Sequence, residues 1–387
     1  MGVARVVLEK NGCANKRRAR GVRNVAARRR QLGRESIHDS DCADECEMKS
    51  ISRRSLLRLA LGGGILAGGA VIYKQTESVG LDKWMRWMLR GQTARLNPPA
   101  RVALASVASY DDDVLSAIRT LWRDANAPDL ANARVVLKPN LVDSIPERPC
   151  YTMPQVTEAL IQFLRDEIQV KALVVAEGMT FRRDPHAILI ETGYREMLER
   201  QRVEFVDLNY DDLVKIPLRG GYAKMDSLFM ARTVAEADAL ISIPKLKTHH
   251  WTKISGSIKN LFGIVPGAKY GFPKNTLHMH GIDAFLAELL DSLPTPKRFA
   301  LVDGIVGLQG DGPLFGAPVP SGALIGGQDF LAVDATAARL MGFDPTTIEI
   351  LAFMAWAGLG QIDVNRIQVR GAALNELKRN YELAPTL

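Results

Sequence analysis

From residue 102 to residue 325 the chain repeats one unit: a short apolar run, a polar corner, then a stretch with helical spacing. The runs are Val102–Val107, Arg134–Leu137, Ala172–Ala176, Val203–Asp207, Ala239–Ile243, Phe299–Val302 and Ala323–Ile325. Helical patterns cover Pro154–Asp166, His186–Gln201, Ser227–Ala237, Ile282–Leu290 and Leu331–Met341. Strands with apolar residues on both faces must be covered on both faces. The alternation therefore predicts an α/β fold, a mainly parallel sheet with helices on both faces, Rossmann-like in outline. The stretch from Pro98 to the end, about 290 residues, suits one large domain or two closely joined lobes.

Several of these runs end in polar residues: Lys138-Pro139-Asn140, Glu177-Gly178, Asp207 with Asn209, Pro244-Lys245 and Asp303-Gly304. In an open parallel sheet the strand C-termini share one edge, and ligands bind in the crevice outside it. Lys138, Glu177, Lys245 and Asp303 are thus expected in one pocket. The densest segment is Pro244-Lys245-Leu246-Lys247-Thr248-His249-His250, followed by Ser255-Gly256-Ser257-Ile258-Lys259-Asn260, Lys269, His278 and His280. Lysines supply point charges, and a glycine turn lets backbone N–H groups approach an anion. Candidate ligand-binding residues are accordingly Lys138, Asn140, Glu177, Lys247, Thr248, Lys259 and Asn260. Candidate catalytic residues are Lys245, His249 and His278, the histidines suiting proton transfer or metal ligation.

Asp303 to Pro313 is glycine-rich and is expected to be an extended loop, neither helix nor regular strand. Its Asp303 and Asp311 are candidate ligands of a divalent cation. Asp334, inside the last predicted helix, is expected to point back toward the site. There is no Walker loop, and no G-x-G-x-x-G follows an early strand, which argues against P-loop and nicotinamide chemistry.

Upstream, Ser52-Arg53-Arg54-Ser55-Leu56-Leu57-Arg58 precedes the apolar run Leu59–Tyr73. This is the pattern of a twin-arginine export signal, which carries folded proteins. It spans residues 48–75, with 76–97 as a linker or interfacial segment. The partner it implies is the twin-arginine translocase, and the expected location is periplasmic or exported. The run is shorter than the roughly 20 residues that cross a bilayer. An uncleaved signal, or residues 81–89 with Trp84 and Trp87, offers a route to membrane association. Residues 1–47 are either a disordered basic tail or an extension upstream of a true start at Met48. They hold eleven Lys/Arg against seven Asp/Glu, leaving the remainder near charge balance, so nothing argues for nucleic acid. Cys42 and Cys46 have no second pair nearby, and beyond residue 46 the chain holds only Cys150. A disulfide framework is thereby excluded, as is a four-cysteine zinc or iron–sulfur site in the core.

Taken together, Lys138-Pro139-Asn140, Glu177-Gly178, Pro244–His249, Lys259-Asn260-Leu261-Phe262-Gly263, Asp303-Gly304-Ile305 with Gly310-Asp311-Gly312-Pro313, and Asp334 with Met341-Gly342 resemble the family called domain of unknown function 362. The resemblance runs from about residue 100 to 350, with the motifs in the family's order. It carries no assigned reaction. Several relatives contain a cysteine-rich ferredoxin-like insert, which this chain lacks, so no intrinsic iron–sulfur cluster is expected. Two classes of function remain. One is an exported enzyme acting on an anionic, for instance phosphorylated, ligand with metal assistance. The other is a non-catalytic periplasmic binding or redox-accessory protein.

Replacing Arg53 and Arg54 together by lysine should leave the protein in the cytoplasm, because the translocase reads the paired guanidiniums. Fractionation and immunoblotting check this; undiminished export of the double variant would remove the signal assignment.

Overall fold

The computed structural model describes residues 95–179, 183–271, 277 and 281–384. The expectations for residues 1–47, for the signal and for the segment 81–89 lie outside the described residues, as does His278. Asn97 is buried, and its side-chain amide donates to Ala355 O (3.0 Å) and Gly360 O (2.7 Å), so the chain is docked from there on.

The strands are β1 (Ala100–Ser106), β2 (Arg134–Pro139), β3 (Ala172–Glu177), β4 (Glu204–Asp207), β5 (Leu213–Pro217), β6 (Ser227–Ala231), β7 (Ala239–Ile243), β8 (Lys245–His249), β9 (Lys253–Ile254), β10 (Lys297–Gln309), β11 (Ala317–Gly327) and β12 (Ile367–Gly371). The helices that matter below are α1 (Val114–Asp124), α2 (Pro154–Asp166), α3 (Pro185–Glu191), α4 (Tyr194–Gln201), α5 (Gly256–Asn260), α6 (Ile282–Ser292), α7 (Phe330–Leu340) and α8 (Glu349–Ala357). The main sheet has the order β12-β1-β11-β10-β7-β2-β3-β4, with β8 continuing past β7 against β10. β11 pairs antiparallel with β1 and β10, and every other pairing along that path is parallel. The sheet is mainly parallel, as expected, and runs unbroken from edge to edge.

Both faces are covered because both faces are apolar. Ile118 of α1, Leu160 of α2, Ile188 of α3 and Met197 of α4 pack with Val135, Leu137 and Ile241 on one side. Phe285 of α6, Leu331 of α7 and Leu351 of α8 pack with Val136, Leu240 and Val302 on the other. Alternation along each strand sends successive side chains to these two cores.

Three local expectations fail for identifiable reasons. Ser227–Ala237 is not one helix: its first five residues form β6, which pairs with β5, and only Arg232–Ala235 is helical. A five-residue apolar run has no periodicity that separates strand from helix. His186–Gln201 is two helices, α3 and α4, which meet at Thr192-Gly193. The glycine-rich segment Asp303–Pro313 is a loop only from Gly310 onward, since β10 runs through its first part to Gln309. Its glycines serve close packing: a Cβ on Gly307 would lie 1.9 Å from Tyr381 Oη and 2.9 Å from Leu246 O, so β8 and the C-terminal segment could not approach.

The same region corrects the expected role of Lys245 and Asp303. Both side chains are fully buried, and Lys245 Nζ donates to Asp303 Oδ2 at 2.9 Å. Tyr110 Oη donates to Asp303 Oδ1 (2.9 Å) and accepts from Lys245 (2.6 Å) and from Val306 N (3.2 Å). Met153 N, at the head of α2, donates to Asp303 Oδ2 at 3.0 Å. Burial pushes the Lys245 ammonium down, and Asp303 opposes that. The pair ties β8 and β10 to the start of α2; it does not line the cavity described below.

Replacing Lys245 by alanine should therefore strand a buried carboxylate and cost about 3–5 kcal/mol. That corresponds to a fall in melting temperature on the order of 10 °C in a domain of this size. Thermal denaturation checks this, and the Lys245→Ala/Asp303→Ala double variant should cost less than the two single changes summed.

Candidate functional site

From β2 the chain winds outward through β3 to β4, then crosses back to β7 on β2's other side and continues to β10. The winding direction reverses between β2 and β7, and a crevice opens outside the strand C-termini at such a point. A cavity of about 610 Å³ lies here. Its walls include Lys138 and Asn140 after β2, Glu177 after β3, Lys247 and His249 of β8, and Lys259 and Asn260 of α5.

A chain of side-chain hydrogen bonds forms the inner wall. Lys138 Nζ donates to Glu177 Oε2 (2.8 Å) and to Asn260 Oδ1 (2.9 Å). Asn140 Nδ2 donates to the same Asn260 oxygen at 3.1 Å, and Asn140 Oδ1 accepts from Lys247 Nζ at 2.7 Å. A lysine at each end donates only, so the orientation of both amides is determined. Asn260 Nδ2 is held by Lys138 O and Ser242 Oγ, both at 3.0 Å. Glu177 also accepts from Gly178 N (2.8 Å) and Leu141 N (3.2 Å). The Lys138–Glu177 pair is thus a saturated structural element that happens to face the cavity.

Lys247 and Lys259 differ from it. The acceptors of Lys247 Nζ are neutral, Asn140 Oδ1 and Cys150 O at 2.5 Å. Lys259 packs its ammonium over the Phe262 ring, 4.8 Å from the centroid. Among the described residues neither lysine has a carboxylate within ion-pair reach. Burial lowers both to about 8 from the ordinary lysine value of 10.5, and Lys138 repels Lys259 further.

The Ser255-Gly256-Ser257 turn places Lys259 but does not itself present amides to a ligand, contrary to expectation. Ser257 N (2.6 Å) and Ser257 Oγ (2.7 Å) donate to Asp334 Oδ1, and Ile258 N donates to Oδ2 (3.0 Å). Asp334 of α7 does reach back, and it caps α5 from below. Burial raises its carboxyl to about 6 while these bonds hold it down. Gly256 sits at φ +51°, and a Cβ there would lie 2.4 Å from Asp334 Oδ2, so this contact admits only glycine.

The outer wall is aromatic. His249 and His250 stack, with centroids 4.8 Å apart and planes at 24°, and Trp251 lies edge-on to His250 at 5.0 Å. Trp251 N donates to His249 Nδ1 at 3.1 Å, which leaves the proton of a neutral His249 ring on Nε2. Phe262, Leu314 and Phe315 complete this wall, with Asp311 exposed beside them. Trp251 and Phe315 carry no charge, so a search for polar strand ends passes over them; an aromatic residue directly after His249-His250 was the signal available.

Of the expected site residues, Lys138, Asn140, Glu177, Lys247, His249, Lys259, Asn260 and Asp311 line this cavity. Thr248 does not: alternation turns it away from Lys247 and His249, and its hydroxyl donates to Gly310 O at 3.0 Å. Asp303 and Asp311 do not act together, because Asp303 is spent on Lys245, Tyr110 and α2. Among the described residues no group of three or more His, Cys, Asp or Glu side chains is arranged to hold a metal ion.

The family model described as "Domain of unknown function (DUF362)" matches residues 135–339, the segment that supplies the whole inner wall. The thylakoid-associated protein sll1697 of Synechocystis sp. is 30% identical over 280 residues, covering 67% of this chain and 79% of that protein. Among solved structures, the lactate racemase apoprotein from Thermoanaerobacterium thermosaccharolyticum is 13% identical with a TM-score of 0.38; the match covers 64% of this chain and spans 58% of the racemase. With the family's motifs forming one connected site and its model matching more than half of the sequence, this chain belongs to the DUF362 family.

Proposed function

We propose that the cavity binds a small anionic ligand whose charge is met by Lys247 and Lys259, and that His249 moves protons on it. The observation that carries this reading is the pair of lysines with no carboxylate partner. A buried Lys247 ammonium beside a half-buried Lys259, neither with a carboxylate counter-charge, is unfavourable by itself, and an entering anion relieves that cost. Lys138 offers the internal contrast, since Glu177 already answers it. The enzyme reading draws on His249, fixed by a backbone donor at the cavity wall. The twin-arginine motif supports action outside the cytoplasm after folding, and a thylakoid-associated relative fits a place close to a membrane. Among the described residues no helix is long and apolar enough to cross one.

The pH dependence follows in sign. An anion favours the charged lysines, so binding raises their pKa values from the free values of about 8. Affinity should be level below pH 8 and should fall as pH rises above it, by up to about tenfold per unit for each lysine. Calorimetric titration with inorganic phosphate at pH 7 and pH 9.5 checks this; equal affinity at both would refute the assignment. At pH 7, Lys259→Met should weaken phosphate roughly 10-fold or more, the loss of one charge-assisted hydrogen bond. Its melting temperature should stay near wild type or rise, unlike that of Lys245→Ala.

A further inference from the structure

The cavity is chemically divided. Its inner wall is cationic and polar, and its mouth is a wall of rings. Trp251 and Phe315 are each 57% exposed, among the most exposed large apolar side chains of the described residues, and both line the same opening. Exposed ring surface at the mouth of a pocket is where a ligand gains stacking and apolar contact. Two ring-bearing segments make this mouth, and they are tied together. His250 N donates to Gly312 O at 3.2 Å, and His250 Nδ1 lies 3.0 Å from the same oxygen. Arg148 holds the far side, with Nη1 donating to Phe315 O (3.0 Å) and Gly316 O (2.5 Å). The backbones of the two segments, and the His250 ring, are therefore held together at the mouth.

We propose, resting on the anion-site reading above, that the ligand is a planar heterocyclic ring joined through a spacer to an anionic group, with the dimensions of a nucleoside monophosphate. The ring stacks on the His249–His250–Trp251 cluster and Phe315 at the mouth, and the anion reaches Lys247 and Lys259 on the inner wall. A simple inorganic anion would make no contact with the exposed aromatic surface at the mouth. A purely apolar ligand would leave the two lysines unanswered. A cavity of about 610 Å³ has room for ring, spacer and anion together.

The test compares adenosine monophosphate, ribose 5-phosphate and inorganic phosphate by isothermal titration calorimetry on the full chain, wild type and Trp251→Leu. Base stacking on an exposed aromatic should make adenosine monophosphate bind roughly 5- to 150-fold more tightly than ribose 5-phosphate. Trp251→Leu should close most of that gap, weakening adenosine monophosphate far more than ribose 5-phosphate, and its near-wild-type circular dichroism should show an intact fold. If adenosine monophosphate and ribose 5-phosphate bind wild type equally well, the ring assignment is wrong while the lysine site stands. If none of the three binds, both fall. A ring preference that survives Trp251→Leu and Phe315→Leu together would also overturn the proposal, because the ring would then lie elsewhere.

Discussion

A lysine ammonium carried into a protein interior must find acceptors or lose its proton, and three buried lysines and a half-buried fourth gather in one corner of this molecule. How each is answered orders the rest. Lys245 meets Asp303, and the pair joins two strands to a helix start. Lys138 meets Glu177, and through Asn260 and Asn140 that pair sets the orientation of every polar group on the inner wall. Lys247 meets only neutral oxygens, and Lys259 meets an aromatic face. The first two make the scaffold. The last two leave it with unspent positive charge facing a cavity.

The sheet topology explains why so much charge can be gathered without disrupting the core. The charged side chains of the site come at the C-terminal ends of β2 and β3 and just past β7, beyond the apolar stretch of each strand. Pro244 interrupts the ladder between β7 and β8, and the chain then continues against the second half of β10. That continuation puts Lys245, Lys247 and His249 on one side at alternate positions, deep enough to be buried. From below, Asp334 grips α5 through Ser257 and Ile258, and so fixes where Lys259 and Asn260 emerge. Charged groups on four elements, β2, β3, β8 and α5, are fixed by bonds among the wall residues and, for α5, by Asp334 beneath it, a condition for a site that does not rearrange when it fills.

Much of this was legible in the chain. Apolar runs alternating with helical spacing could only be wrapped on both faces, and of the four polar strand ends expected in one pocket Lys138 and Glu177 line the cavity while Lys245 and Asp303 turn to each other. Other features were not. Lys245 and Lys247 are two residues apart, equally basic and on the same side of one strand, yet one is structural and the other faces the cavity. The difference lies in Asp303, nearly sixty residues away, which reaches only the first of them. The Ser255-Gly256-Ser257 turn looks like an anion nest in one dimension, but its amides are claimed by an aspartate on α7. Five residues at Ser227 read equally well as helix or strand until β5 supplied a partner.

The sequence by itself determined the layered α/β architecture, the edge of the sheet that carries polar residues, and the family, because hydrophobic periodicity and motif order are properties of the linear chain. The tertiary structure alone decided which of those polar residues are spent on one another and which face the cavity without a carboxylate partner. Pairing is a matter of distance in space, and a buried charge takes its character from whichever partner the fold brings within about 3 Å.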